Sequence, residues 1–554
     1  MDMIFGYLHS GISAIIPFVI LLGLLIFVHE LGHFLVAKFW GVRVEIFSLG
    51  FGKKIFKYKK GDTTYCLSLV PLGGYVKMFG DELNAQVSEE DKKVSFTHKP
   101  VWQRISVVLA GPLMNFFFAI LIFSIVAIVG EQMRAPTAGD VVMNSPAYQM
   151  GFRSGDRIVK AGGKNIRTWD EFQKLMTENH GQTLLVEVKR QGFDQLEPIQ
   201  ATPGLINNPN VLSTDEKVGD IEGLSTVSKA SLVGVRAGST AAQAGLQTGD
   251  LIKSVGGRNV KYFRDLDNLF VAQTGQSIAL EVERFDSKDM SKSQILKLEI
   301  PPTRFASIAS IGIESSDLYL AKIVDDSPAK AAGLVEGDRI LAVNGMNPQK
   351  WEDILEAVKS YQGDKPISFE VERAGQKSQI EITPRLTSQM TAQGGEEKRY
   401  TVGIVPWSFP AVPEMTLMKS TSAMAALSRG LEKTHEITKM TVVSFVRLIQ
   451  ARISPKNIGG VISIGQAASE TFKLGLSQFL QMMAIISINL FILNLLPVPV
   501  LDGGHLLFYV IEAVKGAPVS MRKMEIAQQI GLVVLMSLMV FALFNDFTRI
   551  LGSW

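Results

Sequence analysis

His29-Glu30-Leu31-Gly32-His33 constrains this chain more than any other stretch, because it lies inside a segment apolar enough to cross a bilayer. Residues 3–28 contain no Asp, Glu, Lys or Arg, and residues 11–28 are almost wholly apolar. In hydrocarbon every backbone group must be satisfied within its own segment, so this run has to be helical. On a helix, H-E-x-x-H sets two imidazoles one turn apart on one face, ready for zinc, with the glutamate placed as general base. Ionisable groups at that depth cost roughly 2.5–3.5 kcal/mol each and are kept for function. The motif points to hydrolysis inside a membrane.

At 554 residues the chain is too long for one core. A hydrophobic fraction of 47% suits a membrane protein with a substantial water-soluble part. The net charge of +3 argues against nucleic acid as a partner. Cys66 is the only cysteine, which excludes an intramolecular disulfide and a Cys-based metal site, leaving His and carboxylates as ligands. Asp2 without Lys or Arg before the apolar run does not fit a secretory signal.

The expected fold class is an α+β multi-pass membrane protein. Four segments have the length of spans, 1–38, 105–130, 476–502 and 526–545. The loop 39–104 between the first two is basic: residues 34–104 hold twelve Lys/Arg against seven Asp/Glu. The positive-inside rule therefore places it in the cytoplasm and the large central region outside. Within the loop, residues 42–56 and 63–78 are rich in β-formers and glycine turns, so a membrane-associated hairpin or small sheet is expected. Residues 400–475 read as an extracytoplasmic, amphipathic juxtamembrane region.

Between the second and third spans a pattern recurs about every ninety residues. It reads Ser145-Pro146-Ala147 with Gly155-Asp156, then Ser239-Thr240-Ala241 with Gly249-Asp250, then Ser327-Pro328-Ala329 with Gly337-Asp338. Each copy goes on to a Gly-bearing turn, an amphipathic helix and a strand, an order that resembles bacterial PDZ domains. Tandem PDZ-like, β-rich domains are expected at 136–203, 217–302 and 308–386, with linkers at 203–217, 301–304 and 387–399. Copies of one peptide-binding fold favour recognition of peptide termini or filtering over a rigid spacer.

Two imidazoles do not complete a hydrolytic zinc site, which takes three protein ligands. The best third ligand is Asp502 in Leu496-Pro497-Val498-Pro499-Val500-Leu501-Asp502-Gly503-Gly504-His505. There a Pro-broken helix meets a Gly pair expected to let the backbone turn. His505 is the rival.

His29–His33 joined to Asn494 and Leu501-Asp502-Gly503-Gly504 resembles the site-2 protease family of intramembrane zinc metalloproteases. Gly50-Phe51-Gly52, Pro71-Leu72-Gly73-Gly74, Gly111-Pro112-Leu113-Met114-Asn115 and Asn545-Asp546-Phe547 are similar too. The resemblance covers all four spans and the PDZ-like region, but three copies are present where two are usual. It implies Zn2+ held by His29, His33 and Asp502, with Glu30 activating water. It also implies Asn489 and Asn494 contacting the substrate backbone, beside Gly50, Phe51, Gly52, Gly73 and Gly74. The enzyme so implied sits in a bacterial inner membrane, its site toward the cytoplasmic half of the lipid bilayer and its PDZ-like domains periplasmic. Its substrates are single-span proteins such as anti-sigma factors, and remnant signal peptides.

Two other classes of function stay open at this point. A non-proteolytic, membrane-anchored PDZ scaffold has no use for Glu30. A metal or proton transporter would call for more ionisable residues in the second and fourth spans and for an inverted repeat of the His motif.

Overall fold

Apolar runs of this length can satisfy their backbone only by coiling, and the computed structural model has, among its described residues, seven α-helices outside its central region. They are α1 (Asp2–Phe39), α2 (Val101–Val129), α3 (Ala423–Ile449), α4 (Val461–Leu474), α5 (Leu476–Leu495), α6 (Asp502–Lys515) and α7 (Met521–Leu551). Residues 2–81, 87–210, 212–286, 292–348, 350–363, 365–390, 396–451 and 453–551 are described. Among them, four helices are long and apolar enough to cross a membrane: Ile15–Phe39 of α1, Val101–Val129, Leu476–Leu495 and Met521–Arg549 of α7. The chain divides into two compact units. One comprises Met1–Gln132 and Leu417–Trp554 with Asn210–Thr214, the other Met133–Pro209 and Asp215–Thr416.

In the first unit α2 is the central helix, packed against α1, α3, α5 and α6. Small residues permit the closest approach. A Cβ on Gly32 of α1 would lie 2.3 Å from the Ala110 carbonyl oxygen of α2. The third span is shorter than the expected 476–502. It stops at Leu495, Leu496 is extended, and Asp502 opens the separate helix α6. Pro497 and Pro499 explain the break, since each lacks an N–H and pushes the residue before it out of helical geometry. Gly503 and Gly504 serve close packing rather than a turn. Neither has positive φ, and Cβ atoms there would lie 2.2 Å from the Leu496 oxygen and 2.4 Å from Pro499 Cα.

Between α1 and α2 run β1 (Val44–Lys60) and β2 (Thr63–Met78), one antiparallel hairpin that folds back on itself. Residues 46–49 pair on one side with 74–77 and on the other with 64–67, which leaves the last stretch of β2 as an outer edge. That edge packs on α1.

Within residues 400–475, read from sequence as an amphipathic juxtamembrane region, α3 packs into the bundle. A Cβ on Gly430 would lie 2.2 Å from Ser124 Oγ of α2, Ile437 packs on the cluster of Ala119, Ile122, Phe123, Ala484 and Ile488, and Thr441 bonds Asn489 of α5. Helix α4 is capped from α7: Asp546 accepts the N–H groups of Gly460, Ile462 and Ser463 at 2.9, 3.1 and 3.2 Å. These bonds satisfy donors that a helix start leaves orphaned.

The second unit holds the three copies. Each begins with a serine capping a short helix, through Tyr148, Ala242 or Lys330 N–H. A strand follows (Arg157–Ala161, Leu251–Val255, Arg339–Val343), then a helix (Trp169–Glu178, Leu266–Val271, Trp351–Lys359) and an antiparallel strand pair. The Gly-Asp motif earns its place by an ion pair repeated in every copy. Asp156, Asp250 and Asp338, at most 1% exposed, each take a two-pronged contact at 2.7–2.8 Å from Arg190, Arg284 and Arg373.

Each copy extends past its expected end. The first core includes Ile221 and Leu224, the second Ile308, Ile311 and Ile313, the third Val402. The returning segments carry Gly223, Gly312 and Gly403 at φ +84°, +89° and +83°, each pressed against the capping Ser145, Ser239 or Ser327. The expected linkers are therefore partly structured. Strand Gly204–Asn207 pairs with Lys217–Asp220, and Arg385–Met390 with Glu396–Thr401. Residues 391–395 of the third linker lie outside the described residues.

Candidate metal centre and substrate cavity

Helix periodicity puts His29 and His33 on the face of α1 that α2 covers, while the Pro-broken connection after α5 delivers Asp502 to the same point. The three ligand atoms form a nearly equilateral triangle. Asp502 Oδ2 is 3.1 Å from His29 Nε2 and 3.5 Å from His33 Nε2, and the two Nε2 atoms are 3.3 Å apart. Tetrahedral zinc, with bonds of about 2.0–2.1 Å, holds its ligand atoms roughly 3.3 Å from one another. The donor set fits the ion. Asp502 Oδ2 is buried without a hydrogen-bond donor of its own, as suits an atom whose partner is a cation. His505 is not among the residues brought together.

The surroundings belong to α2. His33 Nδ1 lies 2.9 Å from the Val107 carbonyl oxygen, and the Asn115 amide is 3.3 Å from His29 Nδ1. Asn115 is fully buried, and Ser487 of α5 donates to its backbone carbonyl at 2.8 Å. Sequence reasoning left Asn115 without a role. Its signal was there: from Val107 to Val129 it and Ser124 are the only polar side chains, where an unpaired amide is costly.

Beside the triangle lies a cavity of about 230 Å³, lined by His29, Glu30, Asn115 and Asn494, by Phe51, Gly73 and Gly74 of the hairpin, and by Ile26 and Leu490. Phe51 stacks on Tyr75, with centroids 6.2 Å apart. Gly74 has no room for a side chain, since a Cβ would be 2.9 Å from the Ser48 oxygen and 3.2 Å from Glu30 Cγ. Three residues expected near substrate do not line this cavity. Asn489 accepts a hydrogen bond from Thr441 Oγ1 on its amide oxygen at 3.2 Å. Gly50 is absent from the cavity lining and provides a close crossing, at φ +86° with Val70 oxygen 2.6 Å from a Cβ. Gly52 also stands outside the cavity, with open space around it.

The copies in the second unit differ at one matching place. Four residues before Gly223, Gly312 and Gly403 stand Gly219, Ile308 and Arg399. Gly219 is jammed onto the helix Trp169–Glu178, its N–H bonding Thr177 Oγ1 at 2.7 Å and a Cβ falling 2.3 Å from Thr177 N. Ile308 is 7% exposed, and its N–H bonds Asp267 of the neighbouring helix at 2.8 Å. Arg399 is exposed and lines a cavity of about 460 Å³ between Trp351–Lys359 and the strand Ile404–Pro406, with Lys359, Arg385 and Tyr400.

Two histidines, a carboxylate and an adjacent glutamate, set among helices of membrane-spanning length, define a zinc metalloprotease of the site-2, intramembrane type. The chain belongs to peptidase family M50, whose model matches residues 17–538. It is 32% identical over 534 residues to the regulator of sigma E protease of Salmonella typhimurium (strain LT2), spanning 96% of this chain and 98% of the relative. The regulator of sigma-E protease of Escherichia coli (strain K12) is 30% identical over the same shares. A putative zinc metalloprotease of Vibrio cholerae is 31% identical over 97% of this chain and 98% of its own length. A PDZ domain protein from Parabacteroides distasonis matches 52% of this chain at 11% identity, with a TM-score of 0.13 that assigns no fold.

Proposed function

We propose that this chain cuts the transmembrane segments of single-span proteins, with zinc held by His29, His33 and Asp502 and with Glu30 as general base. The observation that carries the reading is the shared cavity: Glu30, next in sequence to one corner of the triangle, faces the same space as Asn494 and the hairpin glycines. When bound, zinc supplies an acidified water and a Lewis acid for the scissile carbonyl. Glu30, on the wall of that cavity, would accept a proton from the attacking water and return it to the leaving amine.

A transmembrane helix shields its carbonyls, and unwinding it in lipid leaves backbone groups unpaired at several kcal/mol each. The outer edge of β2 at Gly73-Gly74-Tyr75 offers replacement bonds to an extended strand, and the Asn494 amide adds another. Gly74, lacking a side chain, lets that strand come close to Glu30.

The relatives named for regulating sigma E support an anti-sigma factor-like substrate in a bacterial inner membrane, and remnant signal peptides share the needed single-span form. The basic 39–104 loop supports a cytoplasmic site and periplasmic PDZ-like copies, which would exclude bulky ectodomains. In the third copy, Lys359, Arg385 and Arg399 around an apolar groove suit the carboxylate end of a trimmed peptide. The first two copies fill the matching place with their own chain.

The test uses purified protein with a single-span substrate, intact or trimmed on its outer side. Wild type cuts the trimmed form and spares the intact one, while Glu30→Gln cuts neither yet keeps its zinc. Cleavage by Glu30→Gln at the wild-type rate would overturn the assignment.

A further inference from the structure

The two imidazoles of the triangle are held unequally. His33 Nδ1 faces a backbone carbonyl, which only accepts, so Nδ1 carries the proton and Nε2 presents a lone pair toward Asp502. His29 needs the same tautomer to ligate through Nε2. Its Nδ1 faces the Nδ2 end of the Asn115 amide at 3.3 Å, while Asn115 Oδ1, on the same fully buried side chain, has no partner. A donor nitrogen opposite a protonated Nδ1 is repulsive, and a half-turn of the amide exchanges its two ends within the same space.

We infer that Asn115 is a positioning residue for the metal centre: its side-chain oxygen accepts Nδ1–H of His29 and holds Nε2 toward Asp502. This rests on His29 being a zinc ligand. Helix α2 then fixes both histidines from one side, His33 by the Val107 carbonyl and His29 by Asn115 two turns on. The Ser487 bond to the Asn115 carbonyl pins that turn of α2 to α5. The half-turn also makes the unpartnered end of the amide a donor, on a residue lining the substrate cavity with Glu30 and Asn494. Such outer partners of metal-bound histidines set tautomer and ring orientation, and losing one costs about 10–100-fold in metal affinity or activity.

The experiment measures zinc affinity by chelator competition on full-length protein in detergent, for wild type, Asn115→Asp, Asn115→Leu and His29→Ala. Aspartate keeps the acceptor and removes the donor; leucine keeps the bulk and removes both. The expected order is Asn115→Asp within a few-fold of wild type and Asn115→Leu weaker by about 10–100-fold. A packing role predicts the reverse. Zinc binding by Asn115→Leu equal to wild type, or loss of zinc in Asn115→Asp as deep as in Asn115→Leu, overturns the inference. Asn115→Ala replaces the leucine variant should the latter not give monodisperse protein. Unchanged zinc affinity in His29→Ala would instead mean that the underlying ligand assignment has failed.

Discussion

Gly111 of α2 faces the His33 ring so closely that a Cβ on it would stand 2.2 Å from Nε2. The metal centre has a wall there that tolerates no side chain. His33 cannot retreat without giving up its 2.9 Å bond to the Val107 oxygen. Gly111→Ala therefore displaces a ligand atom, and displacements near 1 Å cost about 100-fold in rate. Turnover and zinc affinity should both fall. Zinc affinity unchanged from wild type would show that the ring has room to move.

Gly74 tests the hairpin's part in catalysis separately from metal binding. The three atoms nearest to a methyl group there are the Ser48 oxygen, Ile26 Cγ2 and Glu30 Cγ, none of them a ligand atom of the triangle. Gly74→Ala should lower cleavage by about 10–100-fold while zinc content stays at the wild-type level. Cleavage at the wild-type rate would remove Gly74 from the account of substrate docking.

Arg399 is exposed, so its substitution should leave the fold intact while changing the charge of the third groove. Arg399→Glu in the full-length protein should weaken binding of a fluorescent peptide with an apolar, carboxylate-bearing end by about tenfold, about 1.4 kcal/mol, since it turns an attraction at the groove into a repulsion. Amidating the peptide end should weaken wild-type binding similarly. Equal binding of the free and amidated peptides would rule out carboxylate recognition.

The repeated ion pair predicts a stability effect confined to one copy. Arg284 is 22% exposed and Asp250 1% exposed, so Arg284→Met strands a buried carboxylate at a cost of about 3 kcal/mol. Hydrogen exchange of the full-length protein should speed up in the second copy and stay unchanged in the third. Uniform protection across both would show that the pair contributes nothing net.

What could be read from the sequence followed the range of the interaction. His29, Glu30 and His33 are one turn of one helix, so local periodicity suffices to align them. Apolar length marks the four spans, and Asp502 stands out because two prolines interrupt a run that should otherwise continue. The Ser and Gly-Asp positions of the repeats are turn chemistry, legible at short range.

Long-range packing hid the rest. Asn489 and Asn494 look alike as polar residues in an apolar helix, and α3 tells them apart: Thr441, 48 residues upstream, donates to Asn489. Gly223, Gly312 and Gly403 complete their copies after stretches that read as linkers, so the domain ends fell short. Asn115 matters through His29, which is 86 residues away in sequence.

The central claim is that zinc sits between α1 and the start of α6, on two imidazoles and one carboxylate. Zinc-edge X-ray absorption on the purified protein reads that ligand set directly. The account predicts two imidazole nitrogens at about 2.0–2.1 Å with oxygen making up the remainder, no sulfur, and loss of the signal in Asp502→Ala. A sulfur shell, which only Cys66 or a methionine could supply, or a third imidazole and full zinc retention in Asp502→Ala, would contradict it.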